Sequence, residues 1–189
     1  MLSLSMNPTV RERIEVLRGN ITEQRVDAIV NASNPTLFPG TGVCGAIHKA
    51  AGHRLAFDCA KLGGCQRGEA KLTTGHRLYA RYVIHTVGPV WNGGKDDEAM
   101  VLASCYANCL KVASENRFQT LAFPSISTGV YGYPIDKASR IAIRTIASYL
   151  EKEPNIHKVA LVCFTEDHEA ECLAALEEVF GGTNAATMA

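Results

Sequence analysis

The sequence carries no surplus charge, because its 19 Lys and Arg are matched by 19 Asp and Glu. A general nucleic-acid or anionic-membrane binder needs a basic excess to gain from counterion release, so that class of partner is excluded. No apolar run near MLSLSMNPTVRERIEV is long enough for a signal peptide, and no span reaches transmembrane length. The seven Cys (44, 59, 65, 105, 109, 163 and 172) are odd in number and contain no C-x-x-C. Paired close ligands for zinc are missing, so no metal and no cofactor is expected, and the free thiols point to a reducing cytoplasm. There is no internal repeat and no linker. What is present is 189 residues with 47% hydrophobic content, enough for one globular core. Any ligand must be recognised by a local site.

Short apolar runs alternate with segments of helical period. Ile14–Leu17, Val26–Val30, Ala70–Thr73, Tyr82–Val87, Thr120–Phe123 and Lys158–Phe164 read as strands. The last is almost continuously apolar, as in a strand buried on both faces. Leu102, Cys105, Tyr106, Cys109, Leu110 and Ala113 form a helical stripe over about 97–115, which makes Cys105 and Cys109 ordinary core residues. Ala138 to Tyr149 carries a second stripe. A final helix opens at Glu166 and Asp167, whose charges suit its positive end. AIHKAAGHRLAFDCAKL is also of helical composition. The alternation predicts a three-layer α/β domain with a parallel or mixed central sheet. Residues 13–180 form that domain, with 1–12 an N-terminal extension and 181–189 a flexible tail.

Two loops hold the most unusual composition. Asn31 to Gly45 and Ser125 to Gly132 each follow an apolar strand, precede a helix, and are rich in Gly, Ser, Thr and Asn. Ligands of open α/β sheets sit beyond the carboxyl ends of strands. Gly permits close approach of the backbone, and N–H groups at a helix start can hold an anion. Either loop alone is an ordinary strand-to-helix turn; together they can grip a diphosphate without Lys or Arg. Gly40-x-Gly42-x-x-Gly45 also matches the dinucleotide fingerprint. However, nine residues separate Val30 from Gly40, and the acidic Asp58 lies in helical sequence. A nucleotide-binding oxidoreductase is therefore disfavoured.

Five collinear motifs carry a resemblance. They are Gly19-Asn-Ile-Thr22, Val26-Asp-Ala-Ile-Val-Asn-Ala-Ser-Asn34, Gly42-Val-Cys-Gly-Ala-Ile-His48 with Ala50-Ala-Gly52, Val83-Ile-His-Thr-Val-Gly-Pro89 and Phe123-Pro-Ser-Ile-Ser-Thr-Gly-Val-Tyr-Gly-Tyr-Pro134. From Ile14 to Phe180 the chain resembles the MacroD-type macrodomains. The resemblance implies an α/β/α sandwich on a six-stranded mixed sheet, with ADP-ribose and its conjugates, including mono-ADP-ribosylated proteins, as partners. It implies that Ser125, Ile126, Ser127, Thr128, Gly129 and Val130 wrap the diphosphate and that Tyr131 packs beside the distal ribose. Gly42, Val43, Gly45 and Ala46 would line the opposite wall, and Asn20 and Ile21 the adenine end. Asn34 would hold the distal ribose and place the attacking water. Phe164 either stacks on adenine or packs in the core.

Two positions depart from that pattern. Asn20 stands where the family usually has an Asp that accepts from the adenine amino group, so weaker binding is expected there. Cys44 stands where the hydrolytic members have an Asp implicated in activating water. A positioned general base is worth roughly a hundred- to ten-thousand-fold in rate. Two readings follow: a slow hydrolase of ADP-ribose esters, such as O-acetyl-ADP-ribose or mono-ADP-ribosylated acidic residues, and a non-catalytic reader of ADP-ribose. Cys44 itself is either a small filler beneath the distal ribose or a thiol activated by His48, one turn on. The sequence shows no third group to orient that pair. His85, inside its strand, is expected to be a hydrogen-bonded structural histidine.

Overall fold

A computed structural model describes residues 8–181. Its strands are β1 (Ile14–Arg18), β2 (Ala28–Ala32), β3 (Ala70–Thr74), β4 (Tyr82–Thr86), β5 (Thr120–Phe123) and β6 (Lys158–Cys163). Its helices are α1 (Pro8–Arg11), α2 (Gly42–Ala51), α3 (Arg54–Lys61), α4 (Glu98–Glu115), α5 (Ile135–Leu150) and α6 (Glu166–Phe180), with a single 3-10 turn at Ile21–Glu23. The strands form one sheet in the order β1-β6-β5-β2-β4-β3. All neighbours are parallel except β3, which runs antiparallel to β4. This is the six-stranded mixed sheet of the expected α/β/α sandwich.

Alternation along the strands builds two cores, because successive side chains point to opposite faces. Ala28, Val30, Ile84, Leu121, Phe123, Val159 and Leu161 face α4, α5 and α6. Ile29, Val83, Ala122, Ala160 and Val162 face α2 and α3. A sheet covered on both sides explains the near-continuous apolar strands.

Four local outcomes differ from the sequence reading. The segment 42–61 is two helices, broken at Gly52 with φ 87°, where an added Cβ would stand 3.2 Å from Arg77 Cδ. The first of them begins at Gly42, inside the Gly-rich stretch and not after it. β2 starts at Ala28 because Asp27 is held outside the strand, its carboxylate accepting from the N–H of Gln119 and Thr120 at 2.9 and 3.0 Å. Val10, read as part of an N-terminal extension, is buried in the core. Residues 1–7 of that extension and residues 182–189 of the tail lie outside the described residues.

Candidate functional site

Both loops singled out in the sequence lie at the carboxyl end of the parallel strands, where β2 leads into α2 and neighbouring β5 leads into α5. Between them opens a cavity of about 390 Å³. Asn34, Gly42, Val43 and Cys44 line one wall, and Ser125, Ser127, Gly129, Val130 and Tyr131 the other. Ala32, Ser33, Gly40, Thr41 and Gly88 complete it. No charged side chain is among them.

The second loop is shaped for close contact. Its hydrogen bonds run from Gly132 N–H to Gly129 O and from Tyr133 N–H to Ser127 O, both at 2.9 Å. Among the described residues, the N–H groups of Gly129, Val130 and Tyr131 close no main-chain bond. Ser127 has φ 67°, a left-handed conformation costing a non-glycine residue about 1–3 kcal/mol, and its buried hydroxyl has no partner among the described residues. Gly88 is the reason that loop can lie so low: a Cβ there would stand 2.1 Å from Ser127 Oγ. In the first loop the corresponding position is Gly45, where a Cβ would stand 2.3 Å from the Gly40 carbonyl oxygen.

Asn34 is held by its own loop. Its Nδ2 donates to Phe38 O at 2.9 Å, and its Oδ1 accepts from Thr36 Oγ1 at 2.7 Å. Cys44 is buried on the first turn of α2. Its Sγ lies 3.7 Å from both Asn31 Nδ2 and Ser33 Oγ, and 3.6 Å from Phe38 O. Burial disfavours its thiolate, but His48, Ser33, Asn31 and the Gly40 backbone outweigh that and hold the thiol below its ordinary pKa. His48 approaches the thiol without closing a bond, since among the described residues neither ring nitrogen has a hydrogen-bond partner.

The register of β2 on β4 places Asn31 directly opposite His85. Asn31 Nδ2 consequently meets His85 Nδ1 at 3.1 Å, while His85 Nε2 meets Thr73 Oγ1 at 2.8 Å. With Asn31 donating, Nδ1 accepts and Nε2–H donates to Thr73. Burial, with the nearby His48, lowers the His85 pKa to about 3 and keeps the ring neutral.

Other expected residues stand off the cavity wall. Ile126 is fully buried, and Thr128 turns its hydroxyl to Ser125 O at 3.0 Å. Gly45 supports the wall from behind, and Ala46 is exposed on the next turn of α2. Asn20 Oδ1 caps the 3-10 turn by accepting from Thr22 N and Oγ1 at 3.0 and 2.8 Å, and Ile21 beneath it is buried. Phe164 is 84% exposed, which removes the core alternative. Gly19 N–H donates to Cys163 O at 2.9 Å and so draws the Asn20 turn beside Phe164. Ala32, Ser33, Gly40, Thr41 and Gly88 are wall residues that were not named individually as such from the sequence. Gly88-Pro89 immediately after a strand was the available signal for one of them.

The Macro domain family profile matches residues 30–142, a stretch that contains both loops and the whole cavity. The chain belongs to the macro domain family. A macro domain-containing protein of Chlorobaculum tepidum is 56% identical over 81% of this chain and 89% of its own length. A protein of Enterobacter cloacae named O-acetyl-ADP-ribose deacetylase is 48% identical over 84% of this chain and 90% of its own. Among solved structures, the Oceanobacillus iheyensis macrodomain with ADP superposes with a TM-score of 0.86 at 38% identity, covering 89% of this chain and 92% of that one. The Trypanosoma brucei macrodomain in complex with ADP-ribose gives 0.85 at 39% identity, covering 90% and 72%. Among the described residues of this macro domain, no three His, Cys, Asp or Glu side chains converge as metal ligands. No helix there is long and apolar enough to cross a membrane.

Proposed function

We propose that this macro domain binds ADP-ribose in the cleft between the two loops and hydrolyses esters carried on the distal ribose. One observation carries the binding half: an uncharged cleft whose far wall offers the free N–H groups of Gly129, Val130 and Tyr131. A diphosphate held by fixed backbone dipoles needs no Lys or Arg. The exposed rings of Phe164 and the half-buried Tyr131 would take the adenine and the distal ribose. Asn20 would meet the adenine through the capacity left after capping its turn. Asn34, with its amide fixed by Thr36 and Phe38, would orient the ester and its attacking group.

The relatives named O-acetyl-ADP-ribose deacetylase support an ester as substrate, and a mono-ADP-ribosylated acidic side chain presents the same chemistry. The seven free thiols suit a reducing cytoplasm as its location. Cys44 favours a second reading, a non-catalytic reader, because a thiol in place of a carboxylate leaves direct water attack without its general base.

ADP-ribose affinity and O-acetyl-ADP-ribose turnover, measured on wild type, Asn34→Ala and Cys44→Asp, separate the two readings. Wild-type turnover that is lost in Asn34→Ala with binding retained supports the hydrolase. Binding without turnover until Cys44→Asp establishes the reader. Failure to bind ADP-ribose overturns both.

A further inference from the structure

We propose that Cys44 is a nucleophile, attacking the ester carbonyl on the distal ribose and carrying the acyl group as a thioester until water releases it. This rests on the cleft being an ester hydrolase, and it supplies the attacking group that the missing carboxylate leaves unassigned.

Position comes first. Cys44 is the third residue of α2, where the first-turn N–H groups and the helix dipole favour a thiolate. It lines the same cavity as Asn34, and Gly40 stands between the two. A Cβ on Gly40 would lie 3.3 Å from Asn34 Nδ2 and 3.9 Å from Cys44 Sγ. Any side chain at 40 would intrude between the thiol and the amide, so the bare backbone leaves room for a reacting group.

A second, independent feature is His48. It is only 6% exposed, one helical turn from Cys44, and both of its ring nitrogens lack partners among the described residues. A buried imidazole with its whole hydrogen-bonding capacity unspent can accept the thiol proton. Asn31 holds the thiol itself in place. Its amide lies against Sγ and is fixed from behind by His85, which Thr73 fixes in turn. Two other buried thiols behave differently: burial pushes Cys59, whose Sγ lies 3.7 Å from His85 Nε2, and Cys65 up to about 11.

The chemistry balances. Cys44 gives its proton to His48, and Sγ forms a bond to the acyl carbon. The C–O bond to the distal ribose breaks, and the departing oxygen takes a proton from cleft water, leaving hydroxide. That hydroxide attacks the thioester carbonyl, the S–C bond breaks, carboxylic acid leaves, and the Cys44 thiolate recovers its proton from His48. No oxidant or reductant enters. The net reaction is ester plus water to acid plus ADP-ribose.

The test mixes excess wild-type protein with O-acetyl-ADP-ribose, quenches in acid at short times, and maps acetyl groups by peptide mass. Wild type is expected to show acetyl on the peptide holding Cys44, formed and lost fast enough to account for turnover. Cys44→Ala loses both adduct and turnover while still binding ADP-ribose. His48→Gln slows adduct formation without weakening ADP-ribose binding. Turnover by Cys44→Ala at the wild-type rate, or wild-type turnover with no acetyl-enzyme, overturns the nucleophile and leaves the hydrolase reading standing. Binding without any wild-type turnover overturns both.

Discussion

His85 shows how a single residue sets a condition on the whole site. Its neutral ring is held between Asn31 and Thr73, and burial is what lowers its pKa to about 3. An unfolded chain takes up a proton at this position below about pH 6.5, while the folded chain does not until about 3. The unfolded state therefore binds more protons across that window, and stability falls as pH drops through it. We expect the unfolding free energy of the wild type to decline between pH 6.5 and 4 with a contribution approaching about 1.4 kcal/mol per pH unit from this group. His85→Gln should flatten that decline in denaturant titrations. An unchanged slope would mean that the ring is protonated in the fold. The pairing of Asn31 with His85 was not legible beforehand, because it depends on the register of two strands far apart in sequence. His48 was visible only as one turn from Cys44; its lack of partners is a property of packing.

At the scale of elements, two glycines decide how closely each loop approaches the ligand. Gly45→Ala would push a Cβ into the Gly40 backbone carbonyl, and Gly88→Ala would push one against the side chains of Ser127 and the fully buried Ile126. Overpacking of this kind costs about 1–3 kcal/mol, and here the displaced atoms belong to the cleft. Calorimetry should show ADP-ribose affinity falling by about tenfold or more in each. Asp27 gives the contrasting case. Burial works against its carboxylate, but the N–H groups of Gln119 and Thr120, the Thr120 hydroxyl and Arg81 hold its pKa below the usual range. Its contribution is present above about pH 3.9 and is lost as pH falls through the lower folded value. Asp27→Asn should destabilise the fold by about 1–3 kcal/mol while leaving affinity per folded molecule unchanged.

Strand and helix identities were legible from periodicity alone, as in Thr120–Phe123 and the Leu102 to Ala113 stripe. The break at Gly52 was not, because helical composition continues across it and only the positive φ reveals the turn. Phe164 was ambiguous for a related reason. It continues an apolar run, and only the end of β6 at Cys163 turns it outward.

For the whole molecule, neutrality is an average over unlike parts. Between Lys49 and Arg81 there are seven Lys and Arg against two carboxylates, whereas α6 carries six carboxylates and no Lys or Arg. The sheet order separates these stretches, with β3 at one edge and β1, beside α6, at the other. Neither charge set lines the cavity. Binding of the diphosphate should accordingly depend little on counterion release, changing by less than about threefold between 50 and 200 mM salt. A calorimetric titration of ADP-ribose at those two salt concentrations, with AMP as comparison, decides whether the cleft holds a diphosphate through its backbone. Backbone-held binding should give one saturable site, nearly the same affinity in both buffers, and markedly weaker binding of AMP, which lacks the diphosphate and the distal ribose. No binding of ADP-ribose, or equal affinity for AMP, would mean that the cleft is not the diphosphate site.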